Sequence, residues 1–409
     1  MKPERSREIH DGLLAHEEEI VQALGLPYRV QNIAAGGLGG QRPAASSSSR
    51  TRSTGLGRPP VGYRGHDAET GMTIMVTSAG TTPAPRYASP VDYGTYGQYG
   101  PGRGFDRGKG FQRPRYRFQG RITADGSSGF PAEAGRYHLY ISWGCPWAQR
   151  TAIVRKLMGL EDVVSLSYVD DQRDGRGWAF RERRGADPVN GFTFLAQAYE
   201  ATEPGYDGHV SVPALWDRAT GTIVSNNFPD ITIDLGTAFG AWADSSVDLY
   251  PEPLRPEIDA LNAHIYQTVN DGPYRVAGAA TQADYERLRQ AMIATLEELD
   301  RRLAGRRLLF GSEITEADVR LWPTLARFDA GYNPMAGVSE RRLTAFGHLW
   351  AYARDLYQRP AFRDTTDFTS FGGLARGPRP SFLNDGSWRI TVEPQLADWD
   401  EPHARERLG

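Results

Sequence analysis

One cysteine stands among 409 residues, Cys145 in the run RYHLYISWGCPWAQRTAIVRKLM, and thiol chemistry in this chain can start nowhere else. Before it, Tyr137, Leu139, Ile141 and Trp143 alternate with smaller or more polar residues, which predicts a strand; after it, Ala152, Ile153 and Leu157 with Arg150, Arg155 and Lys156 predict a helix. Cys145 therefore belongs to a strand-to-helix turn, with Pro146 in the first helical turn, where its missing N–H costs nothing. The unpaired N–H groups and positive dipole end of a helix stabilise an anion above them. A thiolate is such an anion, and in these settings a thiol pKa falls from about 8.5 to about 3.5–7.5. Arg150 would add positive charge nearby. Position alone leaves a buried, inert thiol as the alternative. Without a second cysteine no internal disulfide can form, so a resolving thiol must come from a small molecule or another chain.

Composition bounds the setting for this chemistry. A mean hydropathy of -0.52, with 46 Gly and 27 Pro, means that packed core is only part of the chain. A net charge of -3 argues against a general affinity for nucleic acid or an anionic membrane. A lone cysteine fits a reducing compartment, and no stretch approaches the ~20 apolar residues of a membrane span, so a cytoplasmic protein is expected.

The elements that must position Cys145 follow from the chain order. Residues 1–40 carry Ile9, Leu13, Leu14, Ile20, Val21 and Leu24 at helical spacing and are expected to form a short helical piece. Residues 41–115, with SSSSRTRS and YGTYGQYGPGRGFDRGKG, hold too little apolar side chain to offset the entropy of ordering them and are expected to be a disordered linker. Arg interleaved with Tyr and Phe from Tyr93 to Phe118 has the residue types that stack on single-stranded RNA, although such composition more often marks a plain linker. Order is expected from about Phe118. Val163–Val169 reads as a second strand, DDQRDGRGWAF as a charged loop, and 187–202 as a helix. VSVPALWDRATGTIVS reads as two strands joined at Arg218–Gly221, with Pro213 at a strand start suited to a cis bond. Further on, 257–269 and 282–303 show helical periodicity, with Leu288, Met292, Leu296, Leu299 and Leu303 on one face, and Thr315 to Asp318 is a capping box. The expectation is an α/β thioredoxin-like domain over 116–245, an all-α C-terminal domain over 246–372 and an extended tail over 373–409.

Several of these stretches resemble a known family. RYHLYISWGCPWAQRTAIVRKLMGLE, DPVNGF, VPALWDRATGTIVSNN, YPEPLRPEIDALNAHIYQTVNDGPYR, LFGSEITEADVRLWPTLARFD, DLYQRPAF and DEPHARERLG resemble, in order, the glutathionyl-hydroquinone reductases, the Xi class of glutathione transferases. The resemblance runs over 118–409. It implies the glutathione-transferase fold, a homodimer, and a thiol-dependent reduction of quinone-type thioether conjugates without a metal. Cys145 would take the thiol as a mixed disulfide, and Tyr274 and Tyr332 would protonate and stack on the departing aromatic. Glutathione, or another low-molecular-weight thiol, would be the cosubstrate, held by Trp178, by the backbone of Val212 before Pro213, and by Asn226 and Asn227 at a helix start, with Arg150 beside the cysteine. Separately, AHEEEIVQALGLPYRVQNIAAGGLG, 15–39, resembles a fragment of seryl-tRNA synthetase, with no other part of that fold following.

The departures fall on the ligand subsites. Where the family has Glu-Ser for the γ-glutamyl end of glutathione, this chain has Asn227 and Phe228; Gln149 stands for a histidine beside the cysteine; NPMAGVSE, 333–340, replaces a histidine-containing run; and FGGLAR lacks a third tyrosine. A changed thiol or electrophile follows as one expectation, and a catalytically inactive binding or structural descendant as the alternative.

Overall fold

The computed structural model describes residues 84–97, 99, 113–371 and 389–408. The expected N-terminal helical piece, its synthetase-like run and most of the expected linker lie outside these residues. From Pro85 on, the described residues belong to one compact unit, so sheet and helices form a single body.

The sheet has four strands, β1 (Tyr137–Ile141), β2 (Ser165–Tyr168), β3 (Ala214–Asp217) and β4 (Thr222–Ser225), in the order β2-β1-β3-β4. β1 pairs parallel with β2 and antiparallel with β3, with Leu139 opposite both Leu166 and Leu215. As an inner strand covered on both faces, β1 is buried at every residue and not only at alternate ones. Burial extends to His138, whose ring nitrogens meet Ser165 Oγ at 2.7 Å and Ser167 Oγ at 2.8 Å. The hairpin between β3 and β4 closes where Gly221, at φ 66°, donates its N–H to Asp217 O.

Helices α1 (Pro146–Leu157), α2 (Ala196–Thr202) and α3 (Phe228–Thr237) complete the thioredoxin-like layer, and α4 (Arg255–Ile265), α5 (Gly272–Ala277), α6 (Gln282–Arg302), α7 (Glu316–Arg327) and α8 (Gly347–Tyr357) form the helical layer. On α6, Met292, Leu296 and Leu299 are buried as their spacing predicts. α7 opens with both hydrogen bonds of the Thr315–Asp318 capping box. α4 and α7 each run into a π-helical turn, Tyr266–Asn270 and Phe328–Tyr332, and these turns lead to the two candidate tyrosines.

Two expectations change. The helix expected over 187–202 is confined to Ala196–Thr202, because the Asp187 carboxylate accepts the N–H groups of Val189, Asn190 and Phe192 and folds that stretch into a loop. Packed structure also begins well before Phe118. Pro85–Gly97 lies along the 170–181 loop, with Ala88 N–H donating to Phe180 O, Asp92 N–H to Asp174, and the Arg176 guanidinium 4.0 Å from the Tyr96 ring centre. Cation–π contacts of this kind supply what the segment lacks in aliphatic side chains.

Candidate active site

Cys145 is the N-cap residue of α1, in extended backbone geometry, with Pro146 next and no acidic residue in the first turn. Its Sγ lies 3.4 Å from Val212 O, and it is partly exposed. Val212–Pro213 is a cis peptide. The loop bearing it is braced by Tyr199, whose hydroxyl donates to Ser211 O at 2.7 Å, and by Asn226, whose amide donates to Ser211 Oγ at 3.1 Å. Asn226 also accepts the Phe118 N–H and is 2% exposed, so it joins three segments and offers no free edge to a ligand.

Asn227 caps α3 by position but makes no side-chain cap bond; its amide donates to Asp230 Oδ2 at 2.7 Å. Asp230 in turn stands 3.6 Å from Arg121. Phe228 is fully buried, its ring 5.0 Å from Trp147 and edge-on to Tyr116 at 6.4 Å. Trp147 wedges α1 against the core, as its position beside the cysteine suggests, between Phe228, Tyr266 and the guanidinium of Arg113 at 4.1 Å.

Arg150 occupies a different place from the one its sequence position suggests. It is fully buried in the seam between layers, where its guanidinium donates to Pro146 O at 2.8 Å and to Arg320 O at 2.7 and 3.1 Å. Burial pushes its pKa down to about 10. Gln149 serves the same seam, accepting from Arg327 at 2.5 Å and donating to Thr365 O and Thr366 Oγ1. These two residues of α1 fix the cysteine turn to α7 instead of facing a ligand.

Tyr274 and Tyr332 come together, hydroxyl to hydroxyl at 2.9 Å with rings tilted at 67°. Burial raises the pKa of both, and that of Tyr332 well above the ordinary value; the charge of Cys145 adds to the rise at Tyr274. Both phenols therefore hold their protons at neutral pH and can donate them.

Two site residues, Tyr99 and Arg113, come from the stretch read as linker, and a third, Tyr116, from just beyond it. Arg113 pairs with Asp271 at 2.5 Å and lies over Trp147 and Tyr274; Tyr116 packs on Phe228; and Tyr99 directs its hydroxyl to Val210 O at 3.4 Å, two residues before Val212. The usable signal is the interleaving of Arg with Tyr and Phe between Tyr93 and Phe118, a composition that on its own more often marks a plain linker. On the far side Trp178, 6% exposed, stacks under Arg173. Among the described residues no cluster of His, Cys, Asp and Glu suits a metal, and no helix is long and apolar enough to cross a membrane.

Comparison with known proteins adds to this geometry. Residues 282–355 match the glutathione S-transferase C-terminal domain family. Glutathionyl-hydroquinone reductase YqjG of Escherichia coli K12 is 39% identical over 309 residues, which cover 73% of this chain and 93% of its own. Its glutathione-bound structure superposes with a TM-score of 0.64 at 37% identity, covering 71% of this chain and 96% of that one. A glutathione transferase structure from Gordonia bronchialis also superposes at 0.64, with 43% identity, over 72% of this chain and 92% of that one. The N-terminal resemblance is matched by the serine–tRNA ligase of Nitrosococcus oceani, 57% identical over 37 residues, which are 9% of each chain.

Proposed function

The chain belongs to the glutathionyl-hydroquinone reductases, the Xi class of glutathione transferases, and we propose that it removes a thiol from an aromatic thioether conjugate through a mixed disulfide on Cys145. The observation that carries the reading is the placement of Cys145 Sγ at the start of α1, beside Val212 O, with its charge felt at Tyr274, which is hydrogen-bonded to Tyr332.

The steps follow from the groups present. The Cys145 thiolate, favoured by the N–H groups and dipole of α1, attacks the conjugate's sulfur. A disulfide bond forms, the aryl carbon–sulfur bond breaks, and its electron pair goes to the ring carbon, which takes a proton. Tyr274 and Tyr332 are the proton donors at that point: each is neutral, and the hydrogen bond between them lets one phenol stabilise the charge left on the other. A second thiol then attacks as its thiolate, forms a disulfide with the sulfur carried on Cys145 and restores the Cys145 thiolate. With one cysteine in the chain, that reductant is external.

The thiol is held on this reading by the Val212 backbone beside cis-Pro213 and by the Trp178 wall. Glutathione is the cosubstrate its relatives suggest. Asn227, engaged by Asp230, and Phe228, turned into the core, leave no hydroxyl or free carboxylate at the start of α3 for a γ-glutamyl end, and this favours a thiol gripped elsewhere. The test is mass spectrometry of the intact protein after exposure to a panel of thiols and their hydroquinone conjugates. Wild type should gain one thiol mass on Cys145 and release hydroquinone; Cys145→Ser should do neither. Absence of both adduct and product from wild type, across the panel, would sink the reading.

A further inference from the structure

The loop from Asp170 to Arg184 passes directly beside the cysteine turn: a Cβ built on Gly144 would meet the Asp171 side chain at 3.4 Å. Five arginines lie on this loop. Arg176 pairs with Asp174 at 2.6 Å, Arg181 with Asp170 at 3.4 Å and Asp174 at 3.7 Å, Arg183 with Asp170 and Asp171, and Arg184 with Asp171 at 3.0 Å and Asp367 at 3.2 Å. Arg173 is the exception, with no carboxylate in ion-pair range among the described residues. Its guanidinium is clamped instead between two aromatic faces, 3.8 Å from the Trp178 ring centre and 4.1 Å from that of Tyr99.

This arrangement is suited to binding an anion. Two rings hold the guanidinium, the Tyr99 hydroxyl takes one of its donors, and the remaining N–H groups suit a planar carboxylate. The clamp is anchored on both sides, since Tyr99 reaches Val210 O and a Cβ built on Gly177, next to Trp178, would meet the Tyr99 ring at 3.6 Å. Arg173 is thus linked through Tyr99 to Val210, two residues before the Val212 carbonyl that meets Cys145 Sγ. The charge of Cys145 also registers at Arg173, where burial otherwise lowers the guanidinium pKa.

We propose that Arg173, held between Trp178 and Tyr99, binds a carboxylate on the thiol that reacts at Cys145, so that the cosubstrate is a low-molecular-weight thiol bearing a carboxylate within reach of its sulfur. The inference rests on Cys145 being the reacting thiol. In the exchange that tests this, the incoming thiolate attacks Cys145 Sγ, a new disulfide to Cys145 forms, and the sulfur previously carried there leaves as thiolate.

The test separates this inference from the reading beneath it. Full-length protein is treated with 2,2'-dithiodipyridine, which loads the single cysteine with an uncharged thiopyridyl group, and release of thiopyridone is followed with 3-mercaptopropionate or its uncharged amide, rates being expressed per thiolate. Wild type should prefer the acid by about tenfold, the factor that corresponds to ~1.4 kcal/mol. Arg173→Gln should bring the acid down to the rate of the amide while leaving the amide rate unchanged, and Arg173→Lys should keep part of the preference. The inference is overturned if wild type shows no preference, if the preference survives in Arg173→Gln, or if that variant slows both thiols equally, as a purely structural role would. If Cys145 cannot be loaded at all, the reading of Cys145 as the reacting thiol falls, and the inference with it.

Discussion

Tyr274 and Tyr332 share a single hydrogen bond between neutral phenols, so their part in the proposed reaction can be separated from that of the sulfur. Tyr274→Phe should lower hydroquinone release about 100-fold, a usual share for general acid catalysis, while thiol exchange at Cys145 stays within about twofold of wild type. Steady-state reduction and thiopyridone release, measured on the same preparation, check both halves. Residues differ in how far sequence discloses them. The position of Cys145 at the start of α1 was legible because a strand-like run and a helix-like run meet there. Arg150 was not, since a basic residue one turn into α1 looks identical whether it faces the ligand or, as here, donates to Arg320 O across the seam. Asn227 has the residue type and position of a cap, but the Asp230 carboxylate, three residues on, captures its amide. In such pairs local chemistry is visible in sequence and the choice of partner is not.

Elements were legible where their stabilising contacts are local. The Thr315–Asp318 box is set by four consecutive residues, and it formed as spaced. Its depth was not visible: Asp318 also accepts from Leu309 N–H at 3.1 Å and the Tyr352 hydroxyl at 2.9 Å, so a helix cap doubles as a tie between α7, α8 and the loop before them. Asp318→Ala should therefore cost about 3–5 kcal/mol, the cost of stripping a buried ionic acceptor from its donors and well beyond that of an ordinary cap. A urea titration of the variant against wild type measures it, and a loss below ~1.5 kcal/mol would reduce Asp318 to a plain cap. The stretch before α2 eluded periodicity for the opposite reason, since Asp187 competes for the backbone N–H groups a helix would have used. The π-helical turns after α4 and α7 carry no sequence signature, yet they lead to both tyrosines.

For the whole molecule, architecture was readable from element order, and the wrapping of Pro85–Gly97 on the 170–181 loop was not, because its stability comes from arginines of a distant segment. One buried group contributes a pH response to the whole molecule. Burial holds the His138 pKa down at about 3, so the folded protein keeps the ring neutral where the unfolded chain, with an ordinary value near 6.5, binds a proton. Between those values the unfolded state carries more protons, and stability falls as pH falls, by up to ~1.4 kcal/mol per unit, with the full contribution present above about 6.5. Urea midpoints over pH 4–7 should decline toward acid in wild type, and His138→Gln should flatten that decline; an unchanged slope would show that His138 is not its source.

The candidate site draws on Tyr99, Arg113, Cys145, Arg173, Val212, Tyr274 and Tyr332, spread over most of the unit's length and brought into contact only by tertiary docking. Contacts so distant along the chain close late, because the entropy of looping precedes any reward from them. During refolding from urea, helical signal should therefore return before the selective thiol exchange at Cys145 does. Catalytic competence is then a clock for the last docking event, and a half-assembled chain carries a thiol without an address.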